Sequence, residues 1–153
     1  MIFSQEDNIL MLRALYQAEI SAEFGEVPVG AVMVAPDGNI LAEAGNRCIT
    51  DHDPSAHAET IVIRQAAAKM CNYRLPGCRL YVTLEPCLMC AGLCIQARVN
   101  EIIFGAFDPK AGALTSRYHI GSDGQLNHHF TVRGGLLANE CGELLRLFFK
   151  KRR

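Results

Sequence analysis

The sequence has no apolar run approaching the roughly 20 residues that a membrane-spanning helix needs. Its first residues, MIFSQEDNILMLRALY, carry acidic side chains where a secretory signal peptide needs a basic segment. These absences argue against a membrane protein and against secretion, so we expect a cytoplasmic protein. No repeat, low-complexity segment or long linker divides the 153 residues, and we therefore expect one domain over 1–153.

A large net charge is also lacking. The formal net charge is −1 at pH 7, with 50% hydrophobic and 20% charged residues. This balance is typical of a folded globule and predicts no general attraction to nucleic acid. The C-terminus differs, because RLFFKKRR places five cations among its eight residues. These cations either complement the dipole of a helix end or contact phosphate groups.

Local patterns predict the first elements. Ser4 and Asp7 form the pattern of a capping box, which predicts an N-terminal helix. Apolar residues follow at helical spacing, at Ile9, Leu12, Tyr16 and Ile20. The apolar segments 29–35 and 40–45 flank PDGN and predict a β-hairpin.

The middle of the chain has the pattern of an α/β protein. AHAETIVIRQAAAKM predicts a helix whose first turn contains His57 and Glu59. CRLYVTLE, EPCLMCAGLCIQAR and NEIIFGAF then predict a strand, a helix and a strand. Such units give parallel strands, and ligands gather at the carboxyl ends of these strands. We expect a loop over 108–129 and a final helix in ECGELLRLFFKKRR.

The seven cysteines include a Cys-x-x-Cys pair, Cys87 and Cys90, at the predicted start of a helix. This position lowers thiol pKa values and suits either a redox dithiol or two metal ligands. His57 opens the preceding helix at the same predicted sheet edge, and this favours a metal site. Structural zinc is usually closed by four protein ligands, whereas catalytic zinc keeps one position for water, so three ligands favour catalysis.

Other residues are weaker candidates for a fourth ligand. Cys94 lies about 6 Å further along the same helix than Cys90, and we interpret it as a core residue. His52 is a weaker candidate ligand in the preceding loop. The four remaining cysteines are expected to be buried thiols: Cys48, Cys71, Cys78 and Cys141.

Glu59 lies two residues after His57, so both side chains can project into one cleft. A carboxylate beside a metal-activated water can take its proton and return it to a substrate nitrogen. An acid in the first turn of a helix also stabilises the helix dipole, which is the alternative role. Its place beside His57, Cys87 and Cys90 favours the proton role.

These residues carry a family resemblance. His57-Ala58-Glu59 and Pro86-Cys87-Leu88-Met89-Cys90 resemble the H-x-E and P-C-x-x-C signature of the zinc-dependent cytidine deaminase superfamily. Within it, most of the chain is similar to bacterial tRNA-specific adenosine deaminases. The similar stretches are EVPVGAVMV (26–34), HDPSAHAE (52–59), NYRL (72–75), VTLEPCLMCAG (82–92), FGAFDPKAGA (104–113) and NHHF (127–130).

The resemblance implies a three-layer α/β/α sandwich on a mainly parallel, five-stranded mixed sheet, working as a homodimer. It implies one zinc ion per chain held by His57, Cys87 and Cys90, and Glu59 as proton shuttle in the hydrolysis of adenosine to inosine at the wobble position of the tRNA anticodon. Asn46 matches a nucleoside-binding position. Asp108 and Lys110 match a loop that contacts the anticodon strand, although LTSRY (114–118) departs from the Gly-Ser-Leu continuation of the family. The candidate contacts to the RNA backbone are Lys150, Lys151, Arg152 and Arg153.

Two alternatives remain open at this point. A deaminase of free guanine, cytosine or cytidine would use the same zinc site. A non-enzymatic binding domain stapled by zinc is the alternative from another class, and Glu59 and the missing fourth protein ligand argue against it.

Overall fold

The computed structural model describes residues 2–152 and contains four helices and five strands over that range. In chain order the elements are α1 (Gln5–Glu23), β1 (Gly30–Val34), β2 (Ile40–Gly45), α2 (Ala58–Met70), β3 (Arg79–Leu84), α3 (Leu88–Gln96), β4 (Glu101–Ala106), β5 (Thr131–Gly134) and α4 (Ala138–Lys151). The predicted helices, the hairpin and the strand–helix–strand unit are confirmed. Only β5 has no counterpart in the local patterns, because its four residues are too few to show alternation.

The five strands form one sheet in the order β2-β1-β3-β4-β5. Strand β1 pairs antiparallel with both β2 and β3, whereas β3–β4 and β4–β5 are parallel pairs. Four strands therefore run in one direction and β1 alone runs against them. The mainly parallel mixed sheet implied by the resemblance is confirmed.

Two apolar layers cover the sheet. Leu80 and Val82 of β3 pack with α2 and α3, whereas Tyr81 of the same strand packs with α1 and α4. Strand β4 alternates in the same way, with Phe104 on the first side and Ile103 on the second. The molecule is thus a three-layer α/β/α sandwich. None of the helices within residues 2–152 combines the length and apolarity that crossing a membrane requires.

Helix α1 buries a different face from the one that its large apolar residues indicate. Leu12 and Tyr16 are each 56% exposed. The buried face consists of Leu10, Met11, Ala14, Leu15 and Ala18. The small residues on this face allow close approach: a Cβ added at Gly30 of β1 would lie 1.9 Å from the carbonyl oxygen of Ala14.

The start of α1 is tied to the sheet through Asp7. Its carboxylate accepts the N–H of Ser4 at 2.9 Å, which completes the predicted capping box. It also accepts the hydroxyl of Tyr81 at 2.7 Å and pairs with Arg133 of β5 at 2.9 Å. Burial raises the pKa of Asp7, but the hydrogen bonds from Arg133, Tyr81 and Ser4 outweigh it and hold the pKa well below its ordinary value.

Replacing Asp7 with asparagine is expected to lower the free energy of unfolding by about 3 kcal/mol at pH 7, because a buried ion pair then loses one charge. The folded-state pKa of Asp7 is lowered. Its contribution is therefore complete above the unfolded pKa of about 3.9 and is lost as the pH falls from there towards the folded value. Urea unfolding at several pH values should show the wild type and D7N converging in acid.

The control for this experiment is Glu143→Gln, which removes an exposed ion pair with Arg146 on α4. Exposed pairs contribute about 0–1 kcal/mol, so the control should unfold almost as the wild type does. Equal stabilities of D7N and E143Q at pH 7 would contradict the role of Asp7.

Candidate metal centre and active site

Two helix N-termini meet at one edge of the sheet. His57 is the N-cap residue of α2, Cys87 is the N-cap residue of α3, and Cys90 lies in the first turn of α3. Neither N-cap side chain makes a capping hydrogen bond to its own helix. The N–H group of Ala58 is bound instead by Oδ1 of Asn46, at 2.8 Å. The side chains of His57 and Cys87 therefore remain available for a ligand.

The three side chains converge with the geometry of a metal site. Nδ1 of His57 lies 3.7 Å from Sγ of Cys87 and 3.5 Å from Sγ of Cys90. All three ligand atoms lie within 4.8 Å of one another. Tetrahedral zinc, with Zn–S near 2.3 Å and Zn–N near 2.0 Å, holds a sulfur and a nitrogen ligand about 3.5 Å apart. The three residues thus fit one zinc ion per chain.

The electrostatics of the centre favour a thiolate at Cys87. Cys87 lies at the N-terminus of α3, where the positive end of the helix dipole stabilises negative charge. Hydrogen bonds from Cys90 and His57 outweigh the effect of burial and lower the pKa of Cys87. Thr60, in the first turn of α2, places its hydroxyl 3.8 Å from Sγ of Cys90. Thiolate and imidazole ligands suit zinc.

Glu59 lies beside the metal centre in the first turn of α2, with only 4% of its surface exposed. Burial raises the pKa of its carboxyl group above the ordinary value. A raised pKa brings a carboxyl group closer to the range in which it both accepts and donates protons. Burial and position therefore give Glu59 the properties of an acid/base group.

A cavity of about 310 Å³ borders these residues. His57, Glu59 and Cys87 lie along it, and its walls come from residues in the segments 26–29 and 108–111. The remaining lining residues are Asn46, Cys48 and Ile49, which follow β2, and Leu84 and Glu85 at the end of β3. This volume is within the range of small-molecule sites, about 300–1,000 Å³.

Comparisons with known proteins agree with this geometry. Residues 4–106 match the family described as the cytidine and deoxycytidylate deaminase zinc-binding region. The tRNA-specific adenosine deaminase of Haemophilus influenzae is 47% identical over 150 residues, which cover 98% of this chain and 87% of the relative. The chain belongs to the tRNA-specific adenosine deaminase family. Its homologue of the same name from Bacillus subtilis is 43% identical over 97% of this chain and 91% of the relative.

A solved structure shows the same relationship. It comes from studies of A-to-I editing by tRNA:A34 deaminases at the wobble position of transfer RNA, and it matches with a TM-score of 0.86 at 44% identity. The match covers 90% of this chain and 99% of the other. The predicted family and fold class are confirmed. The chain is a zinc-dependent hydrolytic deaminase.

Two of the three residues expected to bind substrate line the cavity of this deaminase. Asn46 does so with its side chain fixed, because Oδ1 binds the N–H of Ala58 and Nδ2 donates to the carbonyl oxygen of Val27 at 3.1 Å. Asp108 also lines the cavity, and its Oδ1 accepts the N–H of Lys110 at 3.1 Å. Lys110 itself is exposed on the surface and is not part of the cavity wall.

The C-terminal cations of the deaminase lie on and just after α4. Lys150 and Lys151 are exposed. The Arg152 guanidinium donates to the carbonyl oxygen of Gly25 at 3.0 Å and lies 4.2 Å from the centre of the Phe148 ring. Arg153 lies outside the described residues. The tail is thus in contact with the α1–β1 connection, one residue before Glu26 in the cavity wall.

The other cysteine predictions have mixed outcomes. Cys94 is fully buried, as expected for a core residue. Within residues 2–152, neither Cys94 nor His52 belongs to the group of converging metal ligands, which also agrees with the prediction. Cys78 and Cys141 are buried as predicted. The prediction is wrong for Cys71, which is exposed because it ends α2 at the surface in a left-handed conformation, φ 53°. It is also wrong for Cys48, which is half-buried in the cavity wall.

Two buried acids of the site are not indicated by the sequence motifs. Glu26 and Glu85 are buried carboxylates, each 2% exposed, and both line the cavity. Glu26 accepts the N–H groups of Ile49 and Thr50 at 3.1 and 2.7 Å. The sequence feature that could have indicated them is an acidic residue directly beside an apolar segment, as in YVTLEP for Glu85 and EVPVGA for Glu26. Such an acid needs hydrogen-bond donors when it is buried.

Proposed function

We propose that the chain deaminates adenosine to inosine at the wobble position of the tRNA anticodon. The observation that carries the proposal is the convergence of His57, Cys87 and Cys90 on the cavity that also holds the buried Glu59. Three protein ligands leave one zinc position for a reactant, which is the arrangement of catalytic zinc. Homologues that match nearly the whole chain carry the name of this activity, and none of these observations favours a free-base deaminase over it.

In the proposed mechanism, His57, Cys87 and Cys90 would hold the zinc ion, which would activate a water for attack on C6 of adenine. Glu59 takes the proton from this water and delivers it to N1 of the ring. Glu59 then carries a second proton to the amino group, which leaves as ammonia. One water is consumed, and inosine and ammonia are the products. The burial of Glu59 supports these transfers, because bulk water does not compete for the proton.

The RNA is proposed to be held on both sides of the extruded base. Asn46 contacts the nucleoside from one wall, and Asp108 with Lys110 contacts the anticodon strand from the other. Lys150, Lys151, Arg152 and Arg153 add contacts to the RNA backbone. The exposure of Lys150 and Lys151 supports this role. An exposed ammonium group can reach a phosphate of the RNA backbone and release the counterions bound there.

The proposal extends to the assembly and the compartment. A homodimer is supported by the exposed apolar side chains of Leu88 and Met89, which lie in the first turn of α3 beside the metal ligands.

A cytoplasmic location is supported by the free cysteines, because a reducing compartment keeps thiols available as metal ligands. Residues 1–153 would form one deaminase domain in each subunit.

An anticodon stem-loop with adenosine at the wobble position is expected to be deaminated at least about 100-fold more efficiently than free adenosine or adenine, because backbone contacts hold the extruded base in place. The measurement is kcat/KM from inosine formation and ammonia release, with guanine, cytosine and cytidine as further substrates. The efficiency on the stem-loop should fall as the salt concentration rises.

The control substrate is the same stem-loop with guanosine at the wobble position, which should release no ammonia. Efficient turnover of free guanine or cytosine, with an inert adenosine stem-loop, would show that the zinc chemistry serves a free-base deaminase.

A further inference from the structure

The segment 108–116 contains no helix or strand, yet one side chain binds much of its backbone. The Glu85 carboxylate, directly after β3, accepts five hydrogen bonds from this segment. Oε1 accepts the N–H of Asp108 at 3.1 Å and the hydroxyl of Ser116 at 2.5 Å. Oε2 accepts the N–H groups of Leu114, Thr115 and Ser116 at 3.2, 2.8 and 2.9 Å.

The segment also packs directly against this carboxylate. A Cβ added at Gly112 would lie 2.3 Å from the carboxyl carbon of Glu85. Leu114 is buried in the core beneath the segment. Leu114, at the position where the chain departs from the family continuation, therefore anchors the segment through its buried side chain, and Glu85 binds the segment through its backbone.

The position of this segment decides the shape of the cavity. Asp108 and Ala111 line the same cavity as Asn46. Hydrogen bonds of a β-ladder do not hold them there. Besides turn hydrogen bonds within the segment, the N–H of Ala113 donates to the carbonyl oxygen of Pro86 at 2.9 Å. Glu85 accepts five further hydrogen bonds from the segment. A buried carboxylate without these donors would be strongly destabilised, which couples the ionised Glu85 to one conformation of the segment.

We propose that Glu85 is a positioning residue for substrate binding: it holds segment 108–116 so that Asp108 and Ala111 form the wall of the nucleoside pocket. The proposal rests on the proposed function for its substrate. Glu85 borders the same cavity as Glu59, so a direct role in proton transfer is the competing explanation. Its hydrogen bonding argues against that role, because an ionised carboxylate offers about four lone-pair sites and Glu85 already accepts five donors.

Two variants separate positioning from chemistry. Glu85→Gln replaces one acceptor oxygen with an NH₂ group that faces at least two donors. Gly112→Ala keeps the carboxylate but pushes the segment away from it. If Glu85 acts by positioning, both variants should raise KM for the stem-loop about ten-fold, with kcat within about three-fold of the wild type and one zinc per chain retained.

Hydrogen exchange tests the same proposal without activity. In E85Q and G112A, hydrogen exchange at the amides of 108 and 114–116 should rise about ten-fold or more. The reason is that each hydrogen bond to the charged carboxylate stabilises the observed conformation of the segment. The matched control is Glu26→Gln, which should raise exchange at Ile49 and Thr50 and leave 114–116 unchanged. Ser116→Ala removes one exposed donor, so it should fold normally and give a smaller change in the same direction.

The outcomes are distinguishable. A loss of kcat in E85Q with a normal G112A would overturn the positioning role and assign Glu85 to the chemistry. Unchanged exchange at 114–116 in G112A and S116A would overturn it even if E85Q did not fold. If the wild type failed to deaminate the stem-loop, the proposed function would fail, while the exchange data would still decide whether Glu85 holds the segment.

Discussion

Replacing Glu59 with glutamine is expected to reduce turnover of the wobble stem-loop by at least about 100-fold while one zinc per chain is retained. Glutamine preserves the size of the side chain and much of its hydrogen bonding, but it cannot carry a proton between water, N1 and the leaving amino group. The metal ligands are untouched, since Glu59 is not one of the three converging side chains. Single-turnover rates and metal analysis of the same preparation check both parts.

The matched control is Glu140→Gln, because Glu140 is likewise an acid in the first turn of a helix, α4. If the role of Glu59 were only to stabilise a helix N-terminus, both variants would lose a few tenths to about 1 kcal/mol of stability and neither would lose turnover. Near-normal turnover of E59Q would remove Glu59 from the mechanism. Partial recovery of turnover in Glu59→Asp would support the need for an acid at this site.

Replacing Cys87 with alanine is expected to reduce bound zinc from one ion per chain to nearly none and to abolish deamination. Only His57 and Cys90 would remain of the three converging ligands, and two ligands do not retain zinc against dilution or a chelator. Elemental analysis after dialysis gives the stoichiometry, and activity with added zinc shows whether the loss is reversible.

The control is Cys94→Ala, which makes the same chemical change in the same helix, at a fully buried position outside the ligand group. C94A should keep its zinc and its activity, with a lower thermal midpoint because a cavity is created in the core. Full zinc and undiminished activity in C87A would show that the metal centre is assigned wrongly.

The parts of the fold that the sequence predicts are those encoded by neighbouring residues. The capping box at Ser4 and Asp7 and the strand–helix–strand unit around Cys87 depend on contacts within a few positions. The metal centre was predictable because ligand spacing and a parallel unit together place His57 and the cysteine pair at one sheet edge. The ligand types and their spacing thus predict a contact between residues that are 30 positions apart in the sequence.

The parts that the sequence does not predict depend on distant partners. Helix α1 leaves Leu12 and Tyr16 exposed because alanines on another face fit closely against Gly30, and spacing of large apolar residues does not show this fit. Glu85 finds its donors 23 to 31 positions later in the chain. Nothing in its neighbouring residues indicates that a loop would supply them.

The ion pair between Asp7 and Arg133 joins positions 126 apart in the chain. During synthesis, the ribosome adds Arg133 to the chain 126 residues after Asp7. The metal ligands and the first four strands are therefore synthesised before Asp7 can pair with Arg133. Because a long loop must close before this contact forms, we expect it to form late in folding. A nascent chain that ends before β5 thus contains all three zinc ligands but lacks the ion pair between Asp7 and Arg133. This ion pair ties α1 to the sheet, on the side away from α2 and α3.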